Sequence, residues 1–170
     1  MKRRIKDITV FGMLGALMYV SQLILSALPN IHLTGVLIVA ATVVYRKKAL
    51  YPIYVYVFIM GLFNGFALWW LPYLYIWTVL WAFAMLIPKR IPDKAAPFVY
   101  MAVCSLHGFL YGTLYAPSHA LIYGLDFNGM LSYIALGIPY DVIHGISNLL
   151  CGILIYPIVK ILLKCEELSA

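Results

Sequence analysis

The chain has 170 residues, 65% of them hydrophobic and only 11% charged, whereas soluble domains carry about a quarter charged residues. That balance excludes an ordinary soluble enzyme, and the continuous rather than alternating apolar runs exclude a membrane β-barrel. The net charge of +6 lies between the apolar runs, where it sets membrane orientation and does not signal nucleic-acid binding.

Six spans are expected, in one domain covering 1–170. The first runs about 8–28 and ends at Pro29-Asn30. The second, about 33–45, stops at Arg46-Lys47-Lys48. The third, about 49–68, carries Pro52 in its first turn, where proline is tolerated. The fourth, about 73–87, ends at Pro88-Lys89-Arg90. The fifth, about 95–115, is broken by Ala116-Pro117-Ser118, and the sixth covers about 138–163. The second run is short for a vertical crossing and needs a thinned bilayer or extension into 30–34. The start MKRRIKD, followed by a run of spanning length without a small-residue cleavage site, reads as a signal-anchor-like first helix.

All twelve basic residues fall on one side of this arrangement. They are Lys2, Arg3, Arg4 and Lys6, then Arg46, Lys47 and Lys48, then Lys89, Arg90 and Lys94, and finally Lys160 and Lys164. The opposite loops, 29–32, 69–72 and 116–130, have none. The positive-inside rule then makes both termini cytoplasmic. The segment 116–136, with His119, Asp126 and Asn128, is expected to be a long outer loop, either an interfacial helix or a lid dipping back toward the membrane. Cys104, Cys151 and Cys165 have no metal-like spacing and read as membrane-buried or cytoplasmic thiols.

Polar residues within the spans are few. Asp141, His144 and Asn148 are spaced three and four apart, so they form one stripe on the last span, with Ser147 beside it. A carboxylate at membrane depth is costly, which favours a ligand-recognition role; the alternative is interhelical hydrogen bonding with Asp141 paired to His144. Phe66, Trp69, Trp70, Tyr73, Tyr75 and Trp77 crowd the outer ends of the third and fourth spans, as an interfacial belt or as a stacking platform for a flat ring. His107 with Tyr111, and Asn64, are further candidates, while His32 and His119 read as surface loop residues. Gly12 and Ala16 form a small-xxx-small pair on the first span, whose plain reading is packing within the bundle.

His107, His119, Asp141 and His144 have the ligand types zinc takes but no recognised zinc spacing, and no span contains a glutamate. There is no GxSxG nucleophile motif and no phosphate-binding glycine loop. No catalytic residue, metal or cofactor is therefore expected, and uphill transport would draw on a gradient or another subunit. The competing readings are a membrane-embedded metal-dependent enzyme using Asp141, His144 and His107, and a small channel or secondary carrier.

Three stretches carry a resemblance: GMLGALMYVSQLILSALPNIHL, MGLFNGFALWWLPYLYIW and PYDVIHGISNLLCGILIYPIVKIL. Together they resemble the substrate-binding S component of energy-coupling factor (ECF) type ABC transporters, over nearly the whole chain. The resemblance implies a prokaryotic cell-membrane protein that captures a vitamin or related organic micronutrient near the outer face. It implies docking to a transmembrane T component with two ATPases, and toppling in the lipid to release substrate inward. Asp141, His144, Asn148, His107, Tyr111, Trp69, Trp70, Tyr73 and Asn64 would then be substrate-binding residues. Gly12 and Ala16 would correspond to the family's AxxxA docking motif, with glycine in place of the first alanine. The aromatics point to a ring-containing substrate. The lone carboxylate, with no Lys or Arg at membrane depth to accompany it, argues mildly against a strongly anionic one.

Overall fold

A computed structural model describes residues 2–28 and 30–168, with side chains from residue 5 onward. The side chains of Lys2, Arg3 and Arg4, and Pro29 as a whole, lie outside the described residues. The described residues form eight α-helices: α1 (Lys2–Ile24), α2 (Thr34–Tyr45), α3 (Leu50–Asn64), α4 (Tyr73–Met85), α5 (Ala96–Phe109), α6 (Tyr111–Tyr123), α7 (Phe127–Cys151) and α8 (Ile155–Glu167). Short 3-10 turns occupy Leu25–Ala27, Arg46–Ala49, Leu68–Trp70 and Gly152–Leu154. Four helical stretches are long and apolar enough to cross a membrane: Ile5–Ala27, Leu68–Met85, Ala96–Tyr123 and Phe127–Glu167. The protein is an all-α, multi-pass membrane bundle.

The bundle is arranged around α2. Every residue from Thr34 to Thr42 is buried, as befits a helix apolar on all faces, which must be surrounded by protein. It lies against α8, α4, α1 and α5. At 12 residues, α2 is shorter than a full span, and α3 has 15. Arg46 ends α2 with a positive φ of 53°. Its guanidinium donates to Met85 O at 2.7 Å and Ile87 O at 3.1 Å, capping the end of α4. Trp81 Nε1 donates to Arg46 O at 3.1 Å. Arg46 is thus a structural pin as well as a topological charge.

The basic segments meet at one end of the bundle. Lys6 pairs with Glu166 at 2.9 Å, Lys48 with Asp7 at 2.7 Å, and Lys160 with Asp93 at 3.1 Å. Such partly exposed pairs stabilise little. What they establish is geometry: the start of α1, the 46–49 turn, the 86–95 connection and the end of α8 are neighbours.

The region expected to be a long outer loop is mostly helical. The break expected at Ala116-Pro117-Ser118 does not occur, because α6 runs through Pro117 to Tyr123. A proline in a helix weakens the turn before it, and α4 ties that turn down from outside: Tyr75 Oη donates to Leu114 O at 2.6 Å and meets Ser118 Oγ at 2.8 Å. The interruption falls instead at Leu110, with φ −97° and ψ −1°, between α5 and α6. After α6 the chain turns sharply at Gly124, whose φ is +66°, and Asp126 caps α7 by accepting from Gly129 N at 2.7 Å. The last long helix therefore begins at Phe127, well before the expected 138, and passes Pro139 unbroken.

Candidate functional site

The close approach of α5 and α7, the most extensively packed helix pair, sets the site's floor. A Cβ on Gly108 would lie 2.8 Å from Asn148 Nδ2 and 2.9 Å from both Gly145 Cα and His144 O. Glycine there lets the two backbones touch. Ser105 Oγ reaches across the same seam to donate to Gly145 O at 2.9 Å. Against this floor, away from the basic end, the polar stripe of α7 meets α5, the N-terminal ends of α2 and α4, and the start of α6.

A continuous set of rings results. His144 lies 4.5 Å from His32 and 4.8 Å from Tyr111, between ring centroids. Trp77 is the hub: its ring is 6.0 Å from His32, 5.8 Å from His107, 5.9 Å from Tyr111, 5.8 Å from Tyr73 and 5.9 Å from Tyr56. Trp69 stands edge-on to Tyr73 at 5.6 Å. Tyr115 stacks near Tyr111 and donates to Trp69 O at 3.3 Å. Tyr56 is anchored by its hydroxyl on Gln22 of α1.

The hydrogen bonding of this cluster is incomplete. Asn148, fully buried, donates through Nδ2 to Cys104 O at 3.2 Å, while its Oδ1 has no partner. His107, also fully buried, directs Nε2 at Ile76 O at 3.1 Å and leaves Nδ1 without one. His32 Nδ1, His144 Nε2, Trp77 Nε1 and Ser147 Oγ are likewise buried and unpartnered. The other such atom among the described residues, Thr34 Oγ1, lies beside the Tyr56 hydroxyl. Leaving a buried polar group unpaired costs about 1–3 kcal/mol. Native proteins tolerate few of these, and each calls for an explanation. Those of His32, Trp77, His107 and His144 belong to one cluster of rings, with Asn148 against Gly108 next to His107, and together they combine donors, acceptors and flat apolar walls, as a recognition site for a small organic molecule does.

Of the residues singled out by sequence, the structure brings together His107, Tyr111, His144, Asn148, Trp69 and Tyr73. Asp141 sits at the margin, where its Oδ1 accepts Gly112 N at 2.8 Å and caps the first turn of α6. The Asp141–His144 pair considered from spacing is not among the described hydrogen bonds or ion pairs. Trp70 turns away: its Nε1 donates to Val57 O at 2.8 Å and its ring packs edge-on to Phe66 at 5.1 Å. Asn64 is exposed and bonded to Met60 O of its own helix at 3.2 Å. His32, read from sequence as a surface residue, is a wall of the cluster. The apolar α2 that follows is buried and draws the 30–33 segment in with it. His119 stacks on Tyr133 at 4.0 Å, between α6 and α7. Trp77 and Ser147 were visible as an aromatic-cluster member and a stripe neighbour. Only the contact of its ring with His32 marks Trp77 as a site residue.

Gly12 and Ala16 do not serve the internal packing that their spacing suggests. A Cβ on Gly12 would meet nothing within 4 Å, and Ala16 is exposed. The close approach of α1 to α3 uses Gly15, whose added Cβ would lie 2.7 Å from Val55 Cβ and 2.9 Å from Pro52 O.

Among the described residues, no group of three or more His, Cys, Asp and Glu is placed to hold a metal ion. Comparison of the chain with family models, with curated proteins and with solved structures finds no match.

Proposed function

We propose that this chain is the membrane-embedded substrate-binding subunit of an ECF-type importer. In this reading it captures a small, ring-containing organic micronutrient and delivers it inward with a transmembrane T component and two ATPases. The carrying observation is the ring cluster that joins His32, Trp77, His107, Tyr111 and His144, in which buried polar atoms of the three histidines and of Trp77 have no partner, with Asn148 Oδ1 unpartnered beside it. His107, His144 and Asn148 bind the substrate, Tyr111, Trp69 and Tyr73 wall it, and Asp141 holds the neighbouring helix end in place.

Two further features support this role. The cluster lies away from the end where the basic segments gather, so with both termini cytoplasmic the site is nearer the outer face. The outward face of α1 at Gly12 and Ala16 is unobstructed, which suits close docking of a partner's transmembrane helix.

The test is native mass spectrometry of protein gently purified from its own membranes, followed by uptake into vesicles with and without the T component and ATPases. A stoichiometric organic ligand and ATP-dependent uptake are expected. A bound metal without such a ligand, with turnover lost in His144→Ala, would move the assignment to a metal-dependent enzyme. Uptake or conduction by the chain alone would move it to a carrier or channel.

A further inference from the structure

The unpartnered atoms have a definite polarity, and that polarity constrains what they bind. Asn148 Nδ2 is committed to the carbonyl of Cys104, so the amide must present its oxygen, an acceptor. Ile76 O can only accept, so His107 Nε2 carries the hydrogen, and Nδ1 of the uncharged ring is a second acceptor. Trp77 Nε1 is a donor only. His32 Nδ1, His144 Nε2 and Ser147 Oγ can take either role according to tautomer or rotation. The two fixed acceptors lie on neighbouring α5 and α7, and the fixed donor lies on α4, on a ring 5.8 Å from that of His107.

Charge is the other constraint. No Lys or Arg is part of the cluster, and the one nearby carboxylate, Asp141, is engaged by Gly112 N. A ligand's anionic group would have no cation to meet it at a depth where unpaired charge is costly. The flat surfaces of Trp77, Tyr111 and Tyr73 favour a planar partner.

We infer that the buried part of the ligand is an uncharged heteroaromatic ring whose edge offers at least two N–H or O–H donors, to Asn148 Oδ1 and His107 Nδ1, and one acceptor, to Trp77 Nε1–H. This assignment rests on the binding role proposed above and narrows it to a chemical class of the aminopyrimidine or lactam kind. Any carboxylate or phosphate the molecule carries stays outside the cluster.

Equilibrium dialysis of the purified full chain tests this with three defined groups of probes. The first is neutral rings bearing amino or lactam N–H: 4-aminopyrimidine, cytosine, adenine and pterin. The second is their fully N-methylated counterparts, dimethylamino and N-methyl-lactam forms, in which those donors are removed. The third is ring acids: benzoate, nicotinate and orotate. At least one probe of the first group should bind, and its methylated counterpart should bind at least about tenfold more weakly, the size of one lost hydrogen bond to a buried partner. Trp77→Phe keeps an aromatic ring but removes the donor. It should weaken the parent probe about tenfold, while leaving a probe that lacks the ring acceptor unaffected. The comparison of parent and methylated probes uses the unaltered chain, so it decides the donor assignment even where Trp77→Phe fails to fold.

Equal binding of the methylated probes, preference for the ring acids, or no binding by any probe overturns the ligand class. Preference for the ring acids together with ATP-driven uptake overturns only this inference. A neutral probe that binds as expected without ATP-dependent uptake overturns only the importer reading.

Discussion

Gly108→Ala is the sharpest test of the α5–α7 seam. The new methyl would lie 2.8 Å from Asn148 Nδ2 and 2.9 Å from Gly145 Cα and His144 O, against an unstrained carbon contact of about 3.5–4.0 Å. Two of the three obstacles are backbone, so the helices must part by roughly 0.6–1 Å. Overpacking of this kind costs about 1–3 kcal/mol. In water, alanine would recover about 1 kcal/mol of helix propensity. In a bilayer the separated helices stay helical, so most of that gain cancels between the two states. The expected net loss is therefore about 1–3 kcal/mol. Asn148 is displaced at the same time, and its 3.2 Å bond to Cys104 O is the first to break. Ligand affinity should fall about tenfold, the worth of one buried hydrogen bond. Gly12→Ala is the control, since its methyl meets open space, and it should change neither quantity. Light-scattering melts and equilibrium dialysis in detergent measure both. Wild-type melting and affinity in Gly108→Ala, or a destabilised Gly12→Ala, would refute the reasoning.

Four further changes probe other joints. Arg46→Ala removes both donated bonds to the end of α4 and should cost about 2–4 kcal/mol in melting or denaturant titration. Arg46→Lys should recover less than half, because an ammonium lacks the planar fork. Tyr75→Phe strips Leu114 O of its α4 donor beside Pro117 and should cost about 1–2 kcal/mol, with faster hydrogen exchange confined to 114–121. Asp141→Asn keeps an accepting oxygen for Gly112 N and should leave ligand affinity within a few-fold, whereas Asp141→Ala should lower stability by about 1–3 kcal/mol. A large affinity loss in a stable Asp141→Asn protein would make Asp141 a ligand contact. Gly12→Leu should leave ligand binding intact and abolish uptake with the ATPase module, because a bulky side chain blocks close helix approach.

The sequence by itself determined the solvent, the class and the charge asymmetry of this protein. A chain with so few charges, arranged in continuous apolar runs, can satisfy its backbone in lipid only as helices. The twelve basic residues group into four segments, and the ion pairs place those segments together at one end. The stripe of His144 and Asn148 was legible because helical spacing is a local property. Helix breaks were not. The turn around Pro117 is bonded by Tyr75, 42 residues earlier, and no local rule reports a partner at that distance. The role of α1's glycines also needed the third dimension. Spacing points to Gly12 and Ala16 as the close-packing pair, yet it is Gly15 that meets α3. His32 shows the same limit most clearly. Its immediate neighbours read as a surface turn, and it becomes part of the site because α2 behind it is buried on every side and α7 brings His144 to within 4.5 Å of its ring. Composition and periodicity report what each segment needs from its surroundings. Which segment meets that need is settled only when the helices pack.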